Sequence, residues 1–269
     1  MQLHIFPLIG IPEIVDGEDL AATIIDAAGH DLREGDILTV TSKIVSKAEG
    51  RSVKAQDREE AISNETVRII ASREQPGGVT RIVENRLGII AAAAGVDNSN
   101  VPAGTVLLLP KDPDHSAQQI RTAIHERIGL SVGVIVTDTL GRAWRIGQTD
   151  AAIGIAGIPA TLDLRGQHDD HGQRMDATVI AVADEIAAAA ELVKGKTKGC
   201  PVAVVRGMSE LVSDSVPESQ RSAAALIRPR DQDMFSRGAA EAWHDGYHAA
   251  LKDHHLGAPA ADRQPENRA

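Results

Sequence analysis

Cysteine and aromatic residues are scarce in this chain. Cys200 is the only cysteine, and two Trp, one Tyr and two Phe are the only aromatic side chains in 269 residues. A lone cysteine excludes an internal disulfide and a cysteine-rich metal cluster, and it fits a reducing compartment. So few rings argue against a base-stacking platform for nucleic acid and leave Ala, Ile, Val and Leu to fill the core. Positive charge is also in deficit: 28 Lys and Arg against 38 Asp and Glu give a net charge of −10. A surface of that sign argues against non-specific binding to nucleic acid or anionic membrane, though not against a local basic pocket. No run reaches the ~18 apolar residues of a membrane span. Met1 to Gly10 lacks a basic leader and reads as a strand start, so the expected location is the cytoplasm. The 42% of hydrophobic residues, against 25% charged, suffices for a core in one large domain or two small ones.

Along the chain, Leu20, Ile24 and Ala27 or Ala28 share one helical face, with Asp16 or Gly17 as cap and Gly29 as stop. Ile37 to Thr41 is a β-branched strand. Arg58 to Ser72 reads as helical, and residues 79–110 as β-rich. Pro113 to Gly129 is a well-signalled helix with Asp112 or Asp114 as cap, followed by a buried strand from Val132 to Thr137. Residues 143–176, rich in Gly, Asp and Arg, give no clear assignment. Thr178 to Val193 is an Ala-rich helix, Val202 to Val205 a strand, and Ser219 to Arg237 helical with an interruption near Pro229. Strands and helices do not alternate strictly, so the expected class is α+β with mixed β-sheets flanked by helices. One domain over residues 1–251 and a frayed polar tail over 252–269 are expected.

Several familiar motifs fail. Gly195-Lys196-Thr197 resembles the end of a phosphate loop, but Ala190 stands where that loop needs glycine, and a glycine helix stop is the simpler reading. No GxGxxG follows a strand and no GxSxG is present. His168-Asp169-Asp170-His171 reads as a solvated loop, and His244 with His248 lacks the glutamate of a zinc-protease helix.

Three polar clusters in loops beside apolar strands remain. Thr41 to Lys47 offers hydroxyls and two ammonium groups that can bind phosphate, with a solvated charge run as the alternative. Asp97-Asn98-Ser99-Asn100 offers short oxygen side chains suited to a hard divalent cation, or simply an Asx turn. Asp138-Thr139 follows a buried strand, where carboxylates are often held against a ligand; a cap or turn is the alternative. Arg142 and Arg145 follow, as cations for a transferred phosphate or a substrate carboxylate. Asp184 or Glu185 could add one ligand from the Ala-rich helix. Together these describe metal-assisted phosphoryl transfer.

The chain also resembles a known family. The runs Gly10-Ile11-Pro12-Glu13-Ile14, SKIVSKAEG at 42–50, AGVDNSN at 94–100, LLPKDPDHSA at 108–117 and VTDTLGRAWRIGQTDAAIG at 136–154 are similar to those of the coenzyme F-420-0:L-glutamate ligases (γ-glutamyl ligase, CofE). Asp184-Glu185-Ile186-Ala187 and Glu191 to Lys196 continue the match. The resemblance implies a GTP-dependent ligase that adds L-glutamate to F-420-0 through an acyl phosphate, then further γ-linked glutamates. It implies that Ile11, Pro12, Glu13, Ile14, Ser42, Lys47 and Asn100 contact GTP. It implies that Asp97, Asp138 and Thr139 hold magnesium or manganese, as two ions, with potassium as a further associated ion. Asp97 and Asp138, with Arg142 and Arg145, are the expected catalytic residues. An intertwined homodimer with a CofE-like fold is implied as well, with no nucleic-acid or membrane partner. Ala93 stands where the family carries Asn, which removes a hydrogen-bonding group beside the metal loop. Two alternatives remain open: an amide ligase for a different carboxylate acceptor, and a non-catalytic nucleotide-binding protein.

Overall fold

The computed structural model describes residues 2–76, 78–99 and 101–253. In chain order the elements are β1 (His4–Pro7), α1 (Leu20–Ala28), β2 (Ile37–Thr41), α2 (Ser42–Ala48), β3 (Ser52–Lys54), α3 (Arg58–Glu65), β4 (Thr66–Gln75), β5 (Gly78–Asn85), β6 (Ile90–Ala92) and β7 (Thr105–Leu107). They continue with α4 (Pro113–Ile128), β8 (Gly133–Arg142), β9 (Arg145–Ala156), β10 (Leu162–Asp163), β11 (Val179–Ile180), α5 (Val182–Lys194), β12 (Val202–Arg206) and α6 (Ala239–Asp253).

The central sheet has the order β1-β12-β2-β8-β9. Every neighbouring pair is antiparallel except β2 with β8, which run parallel. A parallel pair needs a long crossover. Here it carries α2, a three-stranded sheet β4-β5-β6, the short β3-β7 pair and finally α4. The mixed sheets and their helices make the chain α+β, as the sequence pattern predicts.

Both faces of the sheet are covered, which explains why its inner strands read as continuous apolar runs. Leu38, Val40, Val134, Val136, Val202 and Val204 point into one core with Ile24 of α1, Val45 of α2 and Ile124 of α4. Ile37, Ile135, Ala203 and Val205 point into the other, against Ile186 and Ala190 of α5. A third core gathers Ile62, Val83, Val96, Val106 and Leu108 beneath the β4-β5-β6 sheet. The edge strand β9 is sealed by carboxylates: Asp184 accepts the Ala152 N–H at 2.9 Å and Asp114 accepts the Ile155 N–H at 2.8 Å. Such pairing blunts an otherwise open sheet edge.

Some expectations are corrected. Only Arg58–Glu65 is helical; from Thr66 the chain turns into β4 and pairs with β5. Ser219 to Arg237 forms no helix but three 3₁₀ turns, at Glu218–Gln220, Ala223–Leu226 and Arg230–Gln232. Thr41 to Lys47 is not a loop, because α2 starts directly after β2 with Ser42, Ile44, Val45 and Ser46 buried. Asp138 and Thr139 are not at a strand end, because β8 runs on to Arg142 and turns back as β9. Lys252 and Asp253 close α6, and the rest of the expected tail lies outside the described residues. Among the described residues, no helix is long and apolar enough to cross a membrane.

Ala93 opens the turn before Asp97, in a backbone conformation that alanine rarely adopts. Ala93, Ala94 and Gly95 all adopt positive φ, at 51°, 57° and 81°. A Cβ on Gly95 would lie 2.6 Å from Leu109 Cδ1, so the turn is pressed onto Leu109 and glycine is required there. Left-handed backbone costs an L-residue roughly 1–2 kcal/mol, and Asn tolerates it better than Ala. Ala93→Asn is therefore expected to stabilise the protein by about 1 kcal/mol. Urea unfolding checks this, and a lower midpoint for the variant would contradict it.

Candidate functional site

The parallel register of β2 and β8 builds the site. Thr41 pairs with Thr137, so the next residues, Ser42 and Asp138, emerge side by side. Ser42, at the first turn of α2, donates its Oγ–H to Asp138 Oδ1 at 2.8 Å. One residue on, Lys43 reaches Asp97 Oδ2 at 2.5 Å. Asp97 is held from both sides. Its backbone bonds Leu107 in both directions, at 3.0 and 2.7 Å. Its carboxylate accepts the Ser99 N–H at 2.8 Å and the Ser99 Oγ–H at 3.0 Å. Farther along α2, Lys47 pairs with Glu13 at 2.5 Å, bringing the Ile11–Ile14 segment to the same helix.

The two aspartates titrate in opposite directions. Burial pushes Asp138 up to about 6; the bonds from Ser42 and the Thr139 N–H oppose this, and the negative charges of Asp150 and Asp97 add to it. Burial also acts on Asp97, but there the Lys43 ammonium and the Ser99 donors win and hold its carboxyl below the usual range. Asp97 and Asp138 therefore sense each other across one site, and negative charge at Asp138 is only partly compensated.

The opposite face of the same hairpin carries a second polar cluster that sequence reasoning missed. Neighbouring residues on a strand point to opposite faces, and Thr139 turns away from Asp138 toward Asp150, its cross-strand partner. Asp150 Oδ1 accepts the Thr139 Oγ–H at 2.7 Å and Oδ2 accepts the Thr137 Oγ–H at 3.0 Å. Lys194, only 2% exposed at the end of α5, lies 2.9 Å from Asp150 Oδ2. Lys196 lies 3.1 Å from Asp150 Oδ1 and 2.8 Å from Glu191. Burial alone would raise the Asp150 pKa, yet the Lys194 ammonium and the hydroxyl donors force it well below the ordinary value. Two acids and two lysines leave this cluster neutral. One signal was available: Asp150 directly precedes the apolar run AAIGIA, and Lys194 ends an Ala-rich helix.

The remaining candidates separate. Ile14 is buried in the first core, Ile11 packs against it, and Pro12 and Glu13 are exposed. Asn100 lies outside the described residues. Arg142 and Arg145 sit exposed at the tip of the β8–β9 hairpin. Arg142 is four residues beyond Asp138, about 13 Å along a strand, and it bonds the Ile146 carbonyl at 2.8 Å. Within one chain they do not join Asp138. Gly195 does end α5, its N–H bonding Glu191 O at 2.9 Å, so the phosphate-loop likeness is a helix stop. His168 to His171 form an exposed turn held by Asp169. Among the described residues, no three His, Cys, Asp or Glu form a ready-made cage for a metal. The donor set of Asp97 and Asp138 nevertheless suits a hard divalent cation. Both offer oxygen, their charges repel, and magnesium typically uses one or two carboxylates and completes its shell with water and phosphate.

Comparison with known proteins gives a consistent answer. The model of the F-420-0:gamma-glutamyl ligase family matches residues 8–207. A coenzyme F-420:L-glutamate ligase of Methanopyrus kandleri is 38% identical over 235 residues, covering 81% of this chain and 92% of the relative. One of Halorubrum lacusprofundi is 42% identical, covering 76% and 87%. One of Natronomonas pharaonis is 38% identical, covering 87% and 94%.

Asp138 and Asp150 make opposite predictions. A carboxyl whose folded pKa is raised weakens the fold once it ionises, so its cost is full above about pH 6 and fades toward the unfolded value. Asp138→Asn should therefore raise the urea midpoint at pH 7.5 and lose that advantage at pH 4. Asp150→Ala should instead cost about 3–5 kcal/mol, because it strands Lys194 in the core. An Asp138→Asn variant no more stable than the parent at pH 7.5 would refute the first. A loss under about 1 kcal/mol would refute the second.

Proposed function

Because the chain belongs to the F-420-0:gamma-glutamyl ligase family, we propose that it joins L-glutamate to the carboxylate of coenzyme F-420-0 using GTP, then extends the product by γ-linked glutamates. The observation that carries this reading is the convergence of Asp97 and Asp138 beside the hydroxyl and ammonium groups of α2. A site of this kind positions charge and needs no covalent nucleophile.

In the proposed reaction an acceptor carboxylate oxygen attacks the γ-phosphorus of GTP, the bond to the β-phosphate oxygen breaks, and GDP leaves. The glutamate amine, after losing a proton, attacks the acyl carbon, and inorganic phosphate leaves. Asp97 and Asp138 would hold magnesium or manganese, which supplies neutralisation of the phosphate charge during transfer. Ser42 orients the Asp138 carboxylate, and Lys43, paired with Asp97, would supply an ammonium group beside the position proposed for phosphate. Lys47 and Glu13 tie the Ile11–Ile14 segment to α2 on the side proposed for the nucleotide. Thr139 is engaged by Asp150 and Lys196 on the opposite face of the hairpin, so it does not join Asp97 and Asp138 as a metal ligand. The fully exposed Ile146 and the largely exposed Trp144 at the hairpin tip support the proposed homodimer.

The test is mass spectrometry of F-420-0 incubated with enzyme, L-glutamate, GTP, manganese and potassium. The product should gain glutamyl masses, with GDP and phosphate released in step. Asp138→Asn should lower kcat by about a thousandfold or more, equivalent to the several kcal/mol that metal-centred charge stabilisation supplies. An unmodified acceptor with GTP present, or full activity in the Asp138→Asn variant, would overturn the proposal.

A further inference from the structure

A cleft of about 460 Å³ opens on the face of the β8–β9 hairpin that carries Asp138. Its position follows from register. Ala151 stands directly across from Asp138, and Leu140 is two residues farther along β8, so both share the face of the Asp138 carboxyl. Both line the cleft. Ser42 and α2 approach Asp138 from the β2 side, whereas the cleft approaches from the β9 side. Asp138 therefore stands between α2 on one side and the strand that lines the cleft on the other.

The lining has two parts. Leu87, Ile89, Leu140, Ile153, Leu226 and Ile227 give apolar walls. Lys111 and Arg228 are exposed cations on the same lining, and neither has an ion-pair partner among the described residues. The nearby acids are largely occupied: Asp114 bonds Ile155, Ser222 and Ala223, Asp112 caps α4, Asp184 accepts from Ala152, and Asp233 accepts from Phe235. A volume in this range with an apolar wall and a few unoccupied polar groups, here Lys111 and Arg228, is typical of a small-molecule site.

We propose that this cleft binds the carboxylate acceptor: an organic anion whose apolar body lies against the Leu87, Ile89 and Ile227 walls and whose negative groups meet Lys111 and Arg228. The inference rests on the ligase reading. It adds the place from which the acceptor approaches, opposite the side proposed for the nucleotide. That arrangement lets the carboxylate reach the γ-phosphate without crossing the nucleotide.

The test compares the full-length protein with Lys111→Ala, Arg228→Ala and Ala224→Phe. The first two remove exposed cations, and the third fills the cleft from an exposed lining position. KM for F-420-0 should rise about 10–100-fold in each cation variant, the range for a lost charge-assisted contact. KM for GTP and for L-glutamate should stay within about twofold. Direct titration of F-420-0 in the absence of nucleotide should show the same loss of affinity, and Ala224→Phe should reproduce it without changing any charge. An unchanged acceptor KM and affinity in all three variants, with the parent enzyme active, would overturn the cleft assignment alone. So would a rise confined to the KM of glutamate or GTP. A parent protein that neither binds nor glutamylates F-420-0 would overturn the ligase reading and this assignment with it.

Discussion

The parallel pairing of β2 with β8 is the constraint from which the site follows. In an otherwise antiparallel sheet, it is the one place where two neighbouring strands end their shared ladder pointing the same way. Ligands in open sheets gather at such changes of direction because the connections leave to opposite sides and open a crevice. Here one connection is immediate, as α2, and the other strand continues as a long hairpin. Ser42 and Asp138 meet because Thr41 and Thr137 are in register, and the long crossover returns Asp97 to the same spot through its ladder contacts with Leu107. A one-residue slip would turn Asp138 into the opposite core and Thr139 into the site.

The same hairpin holds a buried and a half-buried aspartate with opposite fates, which separates stability from chemistry. Asp150 is surrounded by lysines and hydroxyls that folding brings to it, and they hold its pKa well below the ordinary carboxylate value. Asp138 has one hydroxyl and one N–H, feels two neighbouring carboxylates, and is held near the point of protonation. A satisfied charge is structural; an unsatisfied one calls for a cation from outside. The neutral cluster stiffens the hairpin under Thr137 and Thr139, so the strained electrostatics at Asp138 rest on a rigid base.

What could be read from the sequence was local. α4 carries its own start and stop: Asp112 accepts the His115 N–H at 2.9 Å, and Gly129 ends the helix at φ 72°. β2 and the first half of β8 are apolar and β-branched because both faces of the sheet are buried. The candidate acids Asp97 and Asp138 were legible as polar residues beside such strands. What failed depended on distant partners. Thr66 to Ser72 has no Gly or Pro to mark the change from α3 to β4, and pairing with β5 decides it. The stretch after Pro217 lacks a continuous helical face and instead folds as short turns over α4 and β9. The continuation of β8 past Thr137 is set by β9, whose polar outer half hid it. The Asp150–Lys194 pair spans 44 positions, and no spacing rule connects them.

The placement of the cleft bears on how an activated acceptor survives. An acyl phosphate is open to water as well as to an amine, so a ligase of this type gains from forming it where solvent has little access. Asp138 is half-buried, with Ser42 and the apolar first core behind it and the walls of Leu140 and Ile153 to one side. An acceptor filling the cleft would displace water from the β9 side, and a nucleotide held by α2 would do so from the β2 side. Neither alone encloses the reacting atoms. In the proposed reaction, then, exclusion of water depends on both substrates being present, and hydrolysis of GTP without an acceptor is disfavoured by the layout of the site rather than by any single residue.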